Sequence, residues 1–147
     1  MIAELARQLG FRVIALIDRD KGGAAVEAEV QAACDVVIRL PPNHAIERAM
    51  LAGIPAWKIR AASATLTEYG IPDPAAGRTD DAMLTELYKV LHKQGLHEQM
   101  LSPLHVETGG PPPMIVAALA CLASVARPGY PGPRVVDVPP MAPPAAS

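Results

Sequence analysis

The stretch at residues 12–20 constrains the fold of this chain more than any other. After Arg12, an apolar run over residues 13–17, rich in β-branched residues, ends abruptly in Asp18 and Asp20, and residues 21–23 lead into a helical pattern. This order predicts a buried strand, a tight turn and a helix. In open α/β sheets ligands bind beyond the carboxyl ends of the strands. If the strand geometry continues past Ile17, both carboxylates point to the same side of the strand, and together they could bind Mg²⁺ or Mn²⁺.

The surrounding segments extend this stretch into a βαβ unit. A helix is predicted at residues 2–9, ended by Gly10, and a second helix at residues 24–33. Residues 35–40 read as another short strand. Strand, helix and strand within about 30 residues imply two parallel neighbours joined by a right-handed crossover.

The rest of the chain is mainly helical in pattern. Asn43 is expected to cap the next helix. Residues 127–147 are rich in proline and are expected to be mostly unstructured, and an edge strand at residues 135–138 is an open alternative within them. Two strands are too few to form an independent α/β core. The remaining helices are predicted at residues 45–52, 55–69, 96–101 and 114–126, and between a cap at Asp80 or Thr79 and a stop at Gly95. Pro55 is expected at the first position of the second of these helices, with Trp57, Ile59 and Leu66 available for packing.

Composition limits the classes of function. With 147 residues and a net charge of −2, the chain lacks a global basic character, so DNA contact would need a local patch or another chain. Cys34 and Cys121 lie far apart in apolar patterns and favour buried free thiols in a reducing cytoplasm. The apolar segment at residues 114–126 is shorter than the roughly 20 residues of a membrane span, and no signal peptide is evident. A cytoplasmic protein without a membrane segment is expected.

Three segments together resemble a known family. Residues 15–20 are similar to the Asp-x-Asp strand of a Toprim domain, the metal-binding module of topoisomerases, primases and some nucleases. Residues 39–47 and 89–99 resemble the carboxyl-terminal half of the Toprim domain in OLD-family nucleases, named for overcoming lysogenization defect. The resemblance extends over residues 2–104 and implies an α/β fold.

The resemblance implies a DNA-cleaving site that uses Mg²⁺ or Mn²⁺. It implies metal-binding and catalytic roles for Asp18, Asp20 and Glu47, the last as the glutamate of the second acidic motif. The basic residue that assists phosphate or transition-state charge maps to Lys89 or Lys93, and both assignments stay open.

Two family features have no counterpart in the sequence. The glutamate of the upstream Glu-Gly motif is missing, and Glu4 on the opening helix does not replace it. The ATPase that precedes Toprim in this family is also missing, so no ATP site is expected in this chain. A serine common two residues before the second-motif glutamate is replaced by Ala45.

Ordinary structural roles compete with these assignments. Asp20 could cap the following helix, Glu47 could be an exposed first-turn acid, and Lys89 and Lys93 could form a solvated helix face.

The four histidines lack the paired spacing of a zinc site, and structural or surface roles are expected for them. His97, which matches the family's Gly-Leu-His stretch, could support the site without binding metal.

The expected fold class is α/β, a partial Toprim-like parallel sheet with flanking helices and a helical carboxyl-terminal extension. The regions are a partial Toprim-like domain at 1–104, a linker and apolar helix at 105–126, and the Pro-rich tail at 127–147. The leading hypothesis is a divalent-metal-dependent DNA endonuclease of the OLD/Toprim type, present as a carboxyl-terminal fragment.

The alternative hypothesis is a non-catalytic remnant, or a split-protein subunit that pairs with an ATPase/Toprim amino-terminal partner chain. A homo-oligomer is also left open, and a weaker alternative is a small phosphohydrolase or receiver-like module that uses Asp18 as a metal ligand.

Overall fold

The computed structural model describes residues 2–19 and 24–141, with the side chains of residues 24 and 25 excepted. Asp20, the second acid of the Asp-x-Asp pair, lies outside the described residues. The chain divides into two compact units. The first contains the described residues up to Ile46 together with Val116–Pro140, and the second contains Glu47–Ile115 and Met141.

The first unit is built around a three-stranded parallel sheet, which confirms the predicted α/β class. The strand order is β1-β2-β3, and α2 makes the crossover from β1 to β2. Ile14 pairs with Val36 and Ile17 with Arg39, the register expected of a βαβ unit. Its elements are α1 (Ile2–Gln8), β1 (Ile14–Ile17), α2 (Ala24–Ala33), β2 (Val36–Arg39) and β3 (Val135–Asp137).

The central strand is β2, whose Val36, Val37 and Ile38 are all buried. Parallel strands covered on both faces are apolar without alternation, which explains the continuous run in the sequence. At the start of the β1–β2 pair, the backbone N–H of Val13 donates to the carboxylate of Asp35 at 2.8 Å. The sheet is therefore held by packing in its middle and by polar contacts at its ends.

The Pro-rich tail contributes the third strand. Val37 pairs with Val135 and Arg39 with Asp137, so the strand at residues 135–138 that the sequence left open is present as β3. Arg39 donates from Nε and Nη2 to the two carboxylate oxygens of Asp137, at 2.8 and 2.9 Å. This paired contact aligns β3 beside β2.

The second unit is helical. Met83, Leu87 and Leu91, spaced four residues apart on one face of α5, are fully buried and belong to one core with Met100 and Leu104 of α6. The elements are α3 (Ile46–Leu51), α4 (Ala56–Ala64), a 3₁₀ helix (Thr65–Tyr69), α5 (Asp80–Gln94) and α6 (His97–Thr108). The helix α7 (Pro113–Val125) contributes residues to both units.

Several local predictions are wrong. Asn43 has a φ of 62°, in the left-handed region, and α3 begins only at Ile46, so Asn43 does not cap it. Pro55 precedes α4 rather than occupying its first position, and the predicted helix at residues 55–69 changes to 3₁₀ geometry at Thr65. Trp57, expected to pack, is 63% exposed.

The short turn predicted at residues 96–101 is a twelve-residue helix, α6, which continues through Pro103. Proline inside a helix removes one backbone hydrogen bond and is normally unfavourable. Met100 and Leu104 lie on either side of Pro103 and are fully buried, so packing compensates for the lost bond. Among the described residues, no single helix is long and apolar enough to cross a membrane; only α6 and α7 taken together, as a bent pair, reach that length and composition.

Candidate functional site

Asp18 lies directly after β1, at the carboxyl end of the parallel sheet, as the sequence predicts. The segment that follows is linked to the loop after β2. Arg19 donates its backbone N–H to the carbonyl of His44 at 3.0 Å, and Asn43 donates to the carbonyl of Arg19 at 2.9 Å. These bonds between the two strand ends position Asp18 at the edge where α/β proteins bind ligands.

A cavity of about 360 Å³ opens in the first unit beside this edge, with Asp18 and Glu27 among the residues that line it. Leu16, Val26 and Leu40 give it apolar walls. Glu27 is engaged by Arg39, whose Nη1 lies 2.6 Å from its carboxylate. The cavity is thus an apolar recess with acidic groups at its margin.

Arg39 is the cationic centre of the carboxyl edge. Hydrogen bonds to Asp137 and Glu27 raise the pKa of its guanidinium well above its usual value. The same contact with Arg39 lowers the pKa of Asp137. Both groups therefore stay charged, and their ion pair joins the tail strand to the sheet.

The most unusual polar residue of the second unit is Glu47. It lies in the first turn of α3, yet only 6% of its surface is exposed, so the interpretation as an exposed first-turn acid is wrong. Its Oε1 atom lies 3.2 Å from Nδ1 of His92 and 3.2 Å from Nε2 of His97. A carboxylate oxygen only accepts, so each of these ring nitrogens carries the hydrogen.

The helix junction between α5 and α6 brings the two histidines to the same carboxylate. His92 lies in the last turn of α5, and His97 is the first residue of α6. Between them Gly95 ends α5 with a φ of 64°, a left-handed conformation that glycine adopts without strain. The chain therefore reverses within a few residues, and both imidazoles reach Glu47.

The electrostatics favour an ionised Glu47. Burial alone raises the pKa of this carboxyl, but hydrogen bonds from its own backbone and from His97 and His92 lower it further than burial raises it, so the net pKa is lowered. A buried charge is tolerated only when it is paired and hydrogen-bonded. The two imidazoles supply hydrogen bonds to the buried carboxylate.

The two histidines differ in exposure. The side chain of His92 is 78% exposed, whereas that of His97 is 32% exposed. His92 contacts Glu47 through Nδ1, and its ring is the more exposed of the two. His97 uses Nε2, the nitrogen at the far end of its ring, and lies deeper.

The predicted lysines lie on the helix that supplies His92. Lys89 and Lys93 are both exposed residues of α5, at the third position before and the first after His92. Lys89 Nζ lies 3.6 Å from Glu86. Nothing in these positions decides between Lys89 and Lys93 as the functional cation, and both assignments stay predictions.

The metal-binding roles implied for Asp18, Asp20 and Glu47 also remain predictions. In the part of the chain that is described, no group of three or more His, Cys, Asp or Glu side chains could hold a metal ion. Asp18 and Glu47 belong to different units, and Asp20 is not described. The described residues thus do not form a complete metal site by themselves.

Sequence reasoning missed the convergence of His92 and His97 on Glu47. The residues are separated from Glu47 by 45 and 50 positions, so no local pattern links them. One signal was available: the two OLD-like stretches, residues 39–47 and 89–99, contain all three side chains.

Comparison with known proteins finds no family model, no curated protein and no solved structure that matches this chain.

Proposed function

We propose that this chain is the carboxyl-terminal part of an OLD-like Toprim nuclease domain, which hydrolyses phosphodiester bonds of DNA with Mg²⁺ or Mn²⁺. The observation that supports this most is the contact of Glu47 with His92 and His97. The glutamate comes from one OLD-like stretch and the histidines from the other. Buried carboxylates paired with titratable groups concentrate at functional sites.

In this proposal Asp18, Asp20 and Glu47 are ligands for divalent metal, with Glu47 as the acid of the second motif. The ion would supply activation of water and stabilisation of charge on the phosphate. Asp18 fits that role in position, at the carboxyl end of β1, and in chemistry, as a hard oxygen donor. Because Asp20 lies outside the described residues, no coordination geometry is assigned.

Lys89 or Lys93 would attract the DNA backbone. The net charge of −2 gives the chain no general attraction to a polyanion, so contact would depend on such local cations. Both lysines are exposed on α5, which makes them accessible to phosphate groups.

The test is nicking of supercoiled plasmid by the purified chain with Mg²⁺ or Mn²⁺, and with EDTA. Asp18→Asn and Asp20→Asn should each abolish nicking while leaving the circular dichroism spectrum unchanged. Asp81→Asn makes the same chemical change at an exposed residue of α5 and should nick at the wild-type rate. Nicking that survives EDTA or the Asp18→Asn change would refute the metal-dependent proposal.

A second candidate, a subunit of a split protein, is favoured by the exposed edge of the sheet. All four residues of β1 are apolar, yet β1 lies at the edge of the described sheet and Leu16 is 50% exposed. Natural edge strands are normally protected by charge, proline or a covering element. The adjacent α1, all of whose residues are described, buries none of its side chains, and Ile2 and Leu5 are exposed.

On this second proposal, an ATPase/Toprim amino-terminal partner chain supplies the strand that covers β1. Co-expression of such a partner with this chain should give a stable complex, and Leu16→Lys should disrupt it. Leu119→Lys, at an exposed apolar residue of α7, is the matched control. Sedimentation of a folded monomer that fails to bind the partner would contradict the proposal, and self-association would indicate a homo-oligomer instead.

A further inference from the structure

The last aligned residues of the three strands carry a cross-strand ion pair. Ile17, Arg39 and Asp137 lie side by side at the carboxyl ends of β1, β2 and β3. Arg39 donates from Nε and Nη2 to the two carboxylate oxygens of Asp137, at 2.8 and 2.9 Å. Nη1 of Arg39 donates to Glu27 of α2 at 2.6 Å, and this contact fixes the orientation of the guanidinium.

A second arginine approaches the same acid without a hydrogen bond to it. Nη1 of Arg19 lies 3.9 Å from Oδ1 of Asp137, which is within the range of an ion pair but too long for a hydrogen bond. Two guanidinium groups thus converge on one carboxylate, and both of its oxygens accept from Arg39. A phosphate group has more oxygen atoms, in a tetrahedral arrangement, and can accept from both arginines at once.

The position and exposure of Asp137 suit a replaceable group. Its side chain is 58% exposed, whereas those of Arg39 and Arg19 are 22% and 30% exposed. The carboxyl ends of parallel strands form the edge at which α/β proteins bind ligands. The planar fork of arginine binds carboxylate and phosphate with the same bidentate geometry. A phosphate that reaches this edge therefore competes with Asp137 for the same donors.

We propose that Arg39 and Arg19 form a phosphate-binding site and that Asp137 of the tail strand occupies it as an internal competitor. Glu27 keeps the fork of Arg39 in place, and an incoming phosphate replaces the carboxylate of Asp137. The phosphate belongs either to a nucleic-acid backbone or to a free ion. Binding needs neither a metal nor the cleavage of a bond, so this inference goes beyond the proposed nuclease function.

The strength of the competition follows from the ion pair. A ligand that binds only the open form of a site loses affinity in proportion to the population of that form. Asp137→Asn keeps the shape of the side chain and an oxygen that accepts from Arg39, but it removes the competing charge. The dissociation constant for phosphate should therefore fall by about 3- to 5-fold, the upper part of the range for exposed ion pairs.

NMR titration of the whole chain tests the competition. The probes are sodium phosphate and a short DNA duplex, each added in EDTA at constant ionic strength, so that metal-dependent cleavage plays no part. The Nε–H signals of Arg39 and Arg19 should shift, and Asp137→Asn should bind more tightly than the wild type. Glu29→Gln makes the same change of charge at an exposed residue of α2 and should bind as the wild type does.

Two further variants assign the gain in affinity to the arginines. Arg39→Lys, added to Asp137→Asn, keeps the positive charge but loses the fork, so it should cancel the gain. Arg19→Gln in the same background removes the second guanidinium and should also reduce the gain. This variant leaves the pairing of β2 with β3 intact, so it provides the test even where Arg39→Lys disturbs the sheet.

The outcomes identify the source of the phosphate or overturn the inference. A gain with sodium phosphate alone assigns the site to a free ion, and a gain with the duplex assigns it to a nucleic-acid backbone. Equal dissociation constants for the wild type and Asp137→Asn with both probes would overturn the inference. A gain that Glu29→Gln reproduces, or that survives both arginine substitutions, would do the same, since Asp137 is then only a structural partner of Arg39.

Discussion

The contact between His97 and Glu47 should contribute measurably to the stability of the second unit. Removing one donor from a buried charged acceptor costs about 1.5–3 kcal/mol when the acceptor keeps no replacement. The carboxylate side chain is 8% exposed and His97 is 32% exposed, so water replaces the lost donor only in part. We therefore expect His97→Ala to lower the free energy of unfolding by about 1–2 kcal/mol.

The contact of His92 with Glu47 should contribute much less to the free energy of unfolding. Its side chain is 78% exposed, so water readily takes the place of the lost imidazole, and His92→Ala should cost about 0.5 kcal/mol or less. The two substitutions thus compare a partly buried and an exposed donor to the same carboxylate oxygen. His105→Ala, at an exposed residue of the same helix as His97, controls for the loss of an imidazole from α6.

Urea unfolding followed by circular dichroism measures these differences, and a double-mutant cycle assigns them. In a Glu47→Ala background the cost of His97→Ala should fall by at least about 0.5 kcal/mol, because the partner of the imidazole is gone. Equal costs in both backgrounds would show that His97 stabilises the unit by packing alone. A wild-type stability for His97→Ala would refute the argument from burial.

Three further outcomes are expected. Asp137→Ala should speed hydrogen exchange at the amide of Val138, which donates to the carbonyl of Arg39, because the ion pair that aligns β3 is lost; unchanged protection would contradict this. Leu91→Ala, at a fully buried position, should lower the free energy of unfolding by about 2–5 kcal/mol in urea, whereas a loss below about 1 kcal/mol would mean that the core of the second unit is misassigned. Because the pKa of Glu47 is lowered in the folded state, its contribution to stability is complete above the ordinary carboxyl pKa and is lost as the pH falls through the folded-state pKa. The difference in the free energy of unfolding between the wild type and Glu47→Gln should therefore shrink in acid. A difference that does not change with pH would exclude a buried ionised carboxylate.

Local patterns in the sequence were sufficient to predict the βαβ arrangement of the first unit. The strand patterns at residues 12–17 and 35–40 and the helical spacing between them predict two parallel strands joined by α2, and the structure has that order. The helix at residues 24–33 was predicted with its observed bounds. Such predictions succeed because strand runs, helix periodicity and glycine stops are properties of neighbouring residues.

Pairing between strands that are far apart in the chain could not be predicted from local sequence patterns. The sequence left a strand at residues 135–138 open but did not indicate its partner, because the register of β3 on β2 joins residues about 100 positions apart. The length of α6 was also missed, because a proline normally argues against a continuing helix. In each case, packing or pairing with a distant element outweighed the local preference.

The chain's own order of residues thus determined the α/β class, the crossover and the position of Asp18 after a strand. Only the tertiary structure decided that Glu47 is buried and that His92 and His97 meet at one of its oxygens. A glutamate in the first turn of a helix is normally solvated, and its sequence neighbours do not indicate otherwise. Its two histidine contacts come from either side of the left-handed turn at Gly95, 45 and 50 residues along the chain, and such an arrangement exists only once the helices have packed.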